Sequence, residues 1–364
     1  MMQEEGSGPL ATFLHAVPEW LLLVALAFCF ATLVIRLWVL EAAADKELPH
    51  HRKLLTRLWR FFGAGIAVLA AGSIADLFVR AAEISGQPPL ALFSVVPTVV
   101  FRTHIGRVWL IRMAALTFFA MVFIAGRKHR DSRKVLMVLL GLGLVISMTE
   151  SASGHASDAG DLSLAEIVDW FHLLAASIWG GGLLVLSVAV LPELARYGER
   201  IAPVNASVAR RFSGIAGFAV GVVIATSGYN AWAYVGSFGA LWKTPYGWTV
   251  VLKILLFSLV MYLGAFNRYV SVPLLQRACY LPGGRGFLER IAVRFFPRYL
   301  CTEEKSLIFS RFMWSVKVEA ILIVGILLCA ALLRHEIPAR HHSHMERSHE
   351  RMLSPHPQPD QHSH

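Results

Sequence analysis

Apolar side chains along this chain come in long runs, separated by short polar segments that are often rich in Arg and Lys. Runs of this length suit helices that cross a bilayer, each of which needs about 20 mostly apolar residues. Run length predicts eight spans, over about residues 18–40, 58–79, 107–126, 134–150, 165–191, 212–236, 247–267 and 313–333. The expected fold class is an all-α polytopic membrane protein.

The connecting segments alternate in charge. The first loop holds Lys46, Arg52, Lys53 and Arg57; the third holds Arg127, Lys128, Arg130 and Arg133; the fifth holds Arg196, Arg200, Arg210 and Arg211. The seventh carries Arg268, Arg277, Arg285, Arg290, Arg294, Arg298, Lys305 and Arg311. Residues 151–164 contain no Lys or Arg, and 237–246 contain only Lys243. Cationic loops stay on the cytoplasmic side, so the odd loops are expected there and both termini on the periplasmic side of a bacterial inner membrane. Residues 287–300 alternate apolar side chains with Arg. They read either as a basic amphipathic segment lying on the headgroups or as a solvated connector.

Composition sharpens this reading. Of 364 residues, 56% are hydrophobic and 16% charged, which excludes an ordinary soluble enzyme. The net charge of +10 sits between apolar blocks, where it sets topology, so the lipid bilayer and not nucleic acid is the expected partner. Cys29 and Cys329 fall inside spans and Cys279 and Cys301 in the seventh loop, with no C-x-x-C among them. Residues 1–10 carry Glu4 and Glu5 where a cleavable signal peptide would be basic. No phosphate-binding loop, H-E-x-x-H or G-x-S-x-G appears, so the chain is not expected to be an enzyme. Any transport would run down a gradient or be coupled to an ion.

An internal repeat is visible. Thr103, Gly106 and Arg112 open the third span with the spacing that Thr244, Gly247 and Lys253 show in the seventh. Arg60-Phe61-Phe62-Gly63 opens the second span as Arg211-Phe212-Ser213-Gly214 opens the sixth. A shift of four helices preserves direction, so the repeats would be two parallel four-helix halves, between which sites often lie.

Ionisable side chains inside spans cost at least ~2.5–3.5 kcal/mol each, so each needs a reason. They are Asp76, Arg112, Asp169, His172, Lys253 and Glu319. All but Glu319 fall in the outer half. Either they line a polar vestibule, or Asp76 and Asp169 neutralise Arg112 and Lys253 as buried pairs, and both can hold together. Asp169 and His172 share a helix face that Ala176 and Trp179 continue, and Gly180, Gly181 and Gly182 then allow close helix contact. The carboxylate is placed to fix the imidazole's tautomer. His172 reads as a metal ligand or as a helix–helix hydrogen bond. Met148, Glu150 and His155 precede this span. Thioether with imidazole suits Cu(I), and imidazole with carboxylate suits Cu(II) or Zn. Met148 and His155 read as successive stations, with plain packing the other reading of Met148. His15 and His104 lie just outside the first and third spans, as ligands or as interfacial residues.

The end of the chain is rich in His. It carries His335, His341, His342, His344, His349, His356, His362 and His364 with Met345 and Met352. Pro338, Pro355, Pro357 and Pro359 exclude a regular helix. The composition is that of a disordered metal-capturing tract, with an expression tag as the competing reading.

Ser153-Gly154-His155-Ala156, then Asp169-x2-His172-Leu-Leu-Ala-Ala-Ser-x-Trp179-Gly-Gly, resembles the CopD family of copper resistance and copper uptake membrane proteins. So do Arg211-Phe212-Ser213, Thr244-Pro-Tyr246-Gly247 through Lys253, Asn267-Arg268 and Val318-Glu319-Ala320. The chain divides accordingly into an N-terminal membrane half over 1–144, matched mainly around Trp109, a CopD-like region over 145–335 and the tail over 336–364. The resemblance implies an eight-helix inner-membrane protein that moves or handles copper, often with a separate periplasmic carrier of the CopC type. It transfers His155 and His172 as ligands. Three functions are thus in view. One is copper import along outer His, Met and carboxylate stations, with Glu319 as an exit or coupling group and His341, His342, His344 and His349 in the tail as collectors. Another is a haem b electron-transfer protein. The third is a copper-binding sensor or assembly factor that does not transport.

Overall fold

The chain forms helices because almost every backbone polar group in its apolar runs must be satisfied within its own segment. A computed structural model describes residues 9–41, 49–88, 91–154, 156–157, 160–197, 202–234, 240–278 and 305–336. Among them, eight helices are long and apolar enough to cross a membrane. They are α1 (Pro9–Val34, prolonged by a π turn over Ile35–Leu40), α2 (Pro49–Ser85), α4 (His104–Ala125), α5 (Arg133–Ser151), α6 (Leu164–Ala195), α7 (Ala202–Tyr234), α8 (Pro245–Phe266, prolonged to Ala278) and α9 (Lys305–His335). All eight predicted spans are present, and most are longer than their apolar runs. α7 begins ten residues before its predicted start, because its first turns carry Arg210 and Arg211, whose long stems let charged heads reach polar surroundings without breaking the helix. Two short α-helices among the described residues were not predicted, one of them the single turn Ala240–Lys243. α3 (Leu92–Arg102) is apolar but has 11 residues, too few to cross.

The two related helix starts adopt the same cap. Thr103 is extended (φ −110°, ψ 159°) and its hydroxyl accepts the Gly106 N–H at 3.0 Å. Thr244 is extended (φ −121°, ψ 149°) and accepts the Gly247 N–H, also at 3.0 Å. Side-chain capping of this kind satisfies an otherwise orphaned donor. A repeat displaced by four helices requires this equivalence. Gly106 is fixed by packing, since a side chain there would strike the backbone of Val99 and Val100 where α3 folds back onto α4.

α1 and α6 occupy the centre. α1 packs on α2, α5, α6 and α9. The predicted glycine contact on α6 is real and three-sided: a Cβ on Gly180 would meet Ile323 of α9, on Gly181 the Ala27 carbonyl of α1, and on Gly182 the Phe212 ring of α7. α6 also contains π turns over Ser177–Gly181 and Leu186–Val190, each re-aiming the residues that follow. α8 and the outer sides of α4 and α9 expose apolar side chains such as Leu255, Phe118 and Ile321, as a lipid-facing surface does.

The predicted segregation of charge is visible in contacts between loop ends. Arg36 donates to the Arg130 carbonyl (2.5 Å) and Asp131 (3.2 Å), Arg57 to Glu193 (3.3 Å) and the Val188 carbonyl (2.9 Å), and Arg268 to the carbonyl and hydroxyl of Ser213. These contacts gather the odd-loop ends on one basic face of the bundle. The basic amphipathic stretch 287–300, Cys279, Cys301 and the tail with His341, His342, His344 and His349 lie outside the described residues.

Candidate functional site

At the opposite face, six charged side chains from five helices form one balanced cluster, with Glu19, Asp76, Arg112 and Glu150 buried and Arg80 and Arg334 part-buried. Arg112 on α4, 1% exposed, pairs with Glu150 of α5 at 2.9 Å, and its guanidinium also donates to the Thr149 carbonyl and the Ser153 hydroxyl. Arg80 of α2 donates to Asp76 at 2.9 Å and lies 3.5 Å from Glu19 of α1. Arg334 of α9 bridges Glu19, at 2.8 Å, and Glu150. Three carboxylates and three guanidiniums balance, which is what lets charges persist inside a membrane bundle.

This cluster bears on two expectations. Arg112 does meet Asp76, but at 3.9 Å, and its close partner is Glu150. Glu150, expected beside Met148 and His155 ahead of α6, is fully buried and held in ion pairs, because α5 runs on to Ser151. Glu19, Arg80 and Arg334 were missed. Glu19 was legible as a carboxylate at the edge of an apolar run, whereas Arg334 was hidden by lying where the last run meets the His-rich end.

Behind the cluster lies a first chamber of about 470 Å³, walled mostly by apolar side chains. Asp169, His172 and Lys253 line it together with Trp179, Tyr246 and Phe257. The expected Asp169–His172 hydrogen bond is not formed. Asp169 accepts from the Ser151 hydroxyl at 2.9 Å, and His172 Nδ1 lies 2.9 Å from the Thr226 hydroxyl of α7. Helix i,i+3 spacing puts two side chains on one face, yet each finds a better-placed partner across a helix interface. The Thr226 hydroxyl proton is committed to backbone carbonyls of Val222 (2.7 Å) and Val223 (3.1 Å). With that proton on a carbonyl, the Thr226 oxygen is an acceptor for a His172 Nδ1–H, and the tautomer that uses it carries its lone pair on Nε2. Lys253 makes no ion pair within 4 Å among the described residues, so the expected Asp169–Lys253 pair becomes two charges sharing one cavity.

A second chamber of about 310 Å³ lies toward the basic face. Glu319 of α9, 2% exposed, accepts from the Asn267 amide, which also donates to the Ser315 hydroxyl at 2.9 Å. Asn267 opens the π turn that prolongs α8, and that turn aims the amide inward at α9.

The remaining candidates are dispersed. His15 and His335 both direct Nδ1 at Glu83, at 3.4 and 2.8 Å, with ring centroids 6.5 Å apart. His104 pairs with Asp161 at 2.7 Å at the start of α4. Met148 is half-buried on α5. His155 lies outside the described residues. Among those described, no three or more His, Cys, Asp or Glu side chains are arranged to hold a metal ion.

Eight spanning helices, with cavities between them lined by ionisable side chains, define a polytopic membrane protein with polar sites inside its bundle. The comparisons give the family. Residues 206–333 match CopD, described as copper resistance protein D, and residues 10–164 match its N-terminal domain, described as copper resistance protein D-like. The chain belongs to the CopD family. It is 27% identical over 260 residues to the copper transport protein CutJ of Bacillus subtilis (strain 168), an alignment covering 69% of this chain and 46% of that protein. It is 30% identical over 185 residues to copper resistance protein D of Pseudomonas syringae pv. tomato, covering 49% and 58%. The chain thus spans about half the length of the curated relatives it matches. No solved structure matches it.

Proposed function

We propose that the chain carries copper inward across a bacterial inner membrane, with copper as cargo and no reaction catalysed. Family membership and the names of both relatives support copper as the ion. The observation that carries the reading is the His172 ring. Its Nδ1 lies 2.9 Å from the Thr226 hydroxyl, it lines a membrane chamber together with Asp169, and the tautomer with Nδ1–H donating to Thr226 keeps the Nε2 lone pair for a metal ion. Imidazole with carboxylate suits Cu(II), and imidazole alone also accepts Cu(I).

The basic face then lies in the cytoplasm and the chain termini outside. Copper is collected at the outer face by the His-rich tail, by His15 beside His335, and by His104. It passes Met148 and His155 to His172, then reaches Glu319 in the second chamber. Stations of one or two donors suit passage, which requires binding weak enough to release. A separate CopC-like periplasmic carrier is the proposed donor. The alternative of haem needs two imidazoles facing one iron, and His172 is the one histidine lining the first chamber among the described residues.

The test is copper inside sealed proteoliposomes. Transport predicts copper accumulating in the lumen with the intact chain and background levels with His172→Ala. Copper bound to the protein with none in the lumen would support the sensor or assembly-factor reading. Stoichiometric iron with a Soret band would support haem.

A further inference from the structure

We propose that the Trp179 side chain is the barrier between the two chambers and sets what passes from one to the other. The proposal rests on the reading that cargo uses both chambers, although its test uses no copper.

Trp179 is the one described residue that lines both chambers. Around it, every neighbouring wall changes chamber within a single turn. On α7 the lining passes from Val223 to Val220, on α8 from Phe257 to Val260, and on α9 from Ile323 to Glu319. Three or four residues at 1.5 Å each make a layer of about 5 Å. An indole is thick enough to close it.

The indole is held there by its surroundings. It packs edge-to-face on Phe257, with centroids 5.6 Å apart and planes at 81°. Trp179 lies within the π turn Ser177–Gly181, whose extra residue rotates it out of the regular register of α6. The backbone just beyond is locked, since Gly181 abuts the Ala27 carbonyl and Gly182 the Phe212 ring. A shift of α6 would break both contacts, so the motion left for opening is rotation of the indole about its own side-chain bonds. An aromatic face also attracts a cation sliding past it and offers nothing to an anion, so the barrier selects as well as closes.

The experiment places single cysteines in the full-length chain after Cys29, Cys279, Cys301 and Cys329 are replaced by Ala. Ala231→Cys reports on the first chamber and Ala216→Cys on the second. A membrane-impermeant maleimide is added to sealed vesicles from the face that His15 occupies. Ala231→Cys is expected to label readily whatever stands at 179. Ala216→Cys is expected to label about tenfold faster when Trp179→Ala or Trp179→Leu opens the packed layer, and to stay slow with Trp179→Phe. Equal labelling of Ala216→Cys with Trp179 in place would overturn the proposal. So would unchanged slow labelling in a monodisperse Trp179→Leu protein. A chain that labels as expected and moves no copper would instead overturn the transport reading and leave the barrier standing.

Discussion

His172 shows what one residue's neighbours decide. Its spacing from Asp169 is legible in the sequence, and the structure keeps both in one chamber. Its Nδ1 partner is Thr226, 54 positions away on α7. No pattern along the chain announces that pairing, because it is created by the packing of α6 on α7. The account predicts that Thr226→Val lowers copper affinity by about 10–100-fold, the usual cost of losing a partner that orients a metal-binding imidazole. Thr226→Ser should keep it, and competition against a copper chelator measures both. Arg334 gives a separate prediction. Its removal takes one of two guanidinium partners from each of Glu19 and Glu150, both fully buried, and leaves the cluster one positive charge short; breaking one side of a buried pair costs roughly 3–5 kcal/mol. Arg334→Met should therefore lower the Tm of detergent-purified protein sharply, and a Glu150→Gln second substitution should recover part of the loss. An unchanged Tm in Arg334→Met would show that the cluster is not what secures the fold there.

At the scale of the element, existence was easier to read than extent. The eight apolar runs are unmistakable because a span tolerates few charges, but the helices outlast the runs wherever charged side chains can reach a polar boundary. π turns have no sequence signature, so the re-aiming of Trp179 and Asn267 was hidden. The Gly180–Gly182 stretch was legible as a contact, while the identity of its partners was not. It yields a sharp prediction: Gly181→Val drives a side chain into the α1 backbone at Ala27 and should abolish monodisperse protein on size-exclusion chromatography. Gly141, around which no neighbour lies within 4 Å, should accept Ala with no such loss.

At the scale of the whole molecule, charge alternation along the sequence becomes a basic face, joined by Arg36, Arg57 and Arg268, and an opposite face that carries His15, Glu83 and His335. A tag on either terminus should be cleaved by protease added outside intact spheroplasts, and protection of both would reverse the proposed orientation. Truncation after Pro338 should leave the maximal copper flux unchanged and raise the copper concentration needed to reach half of it, because the tail collects and the bundle conducts. The two helix starts that the sequence pairs, at Thr103 and Thr244, turn out to be capped alike. The chambers themselves were not visible, since a void between helices follows from side-chain volumes on several different elements and leaves no period in any of them.

The central claim is that copper is held inside the membrane bundle at His172. Its most direct test is the copper retained by protein truncated after Pro338, loaded, washed and compared with the same protein carrying His172→Ala. The account predicts tightly held copper in the first and its loss in the second, with both proteins equally monodisperse. Equal copper in the two, or none in either, would contradict it.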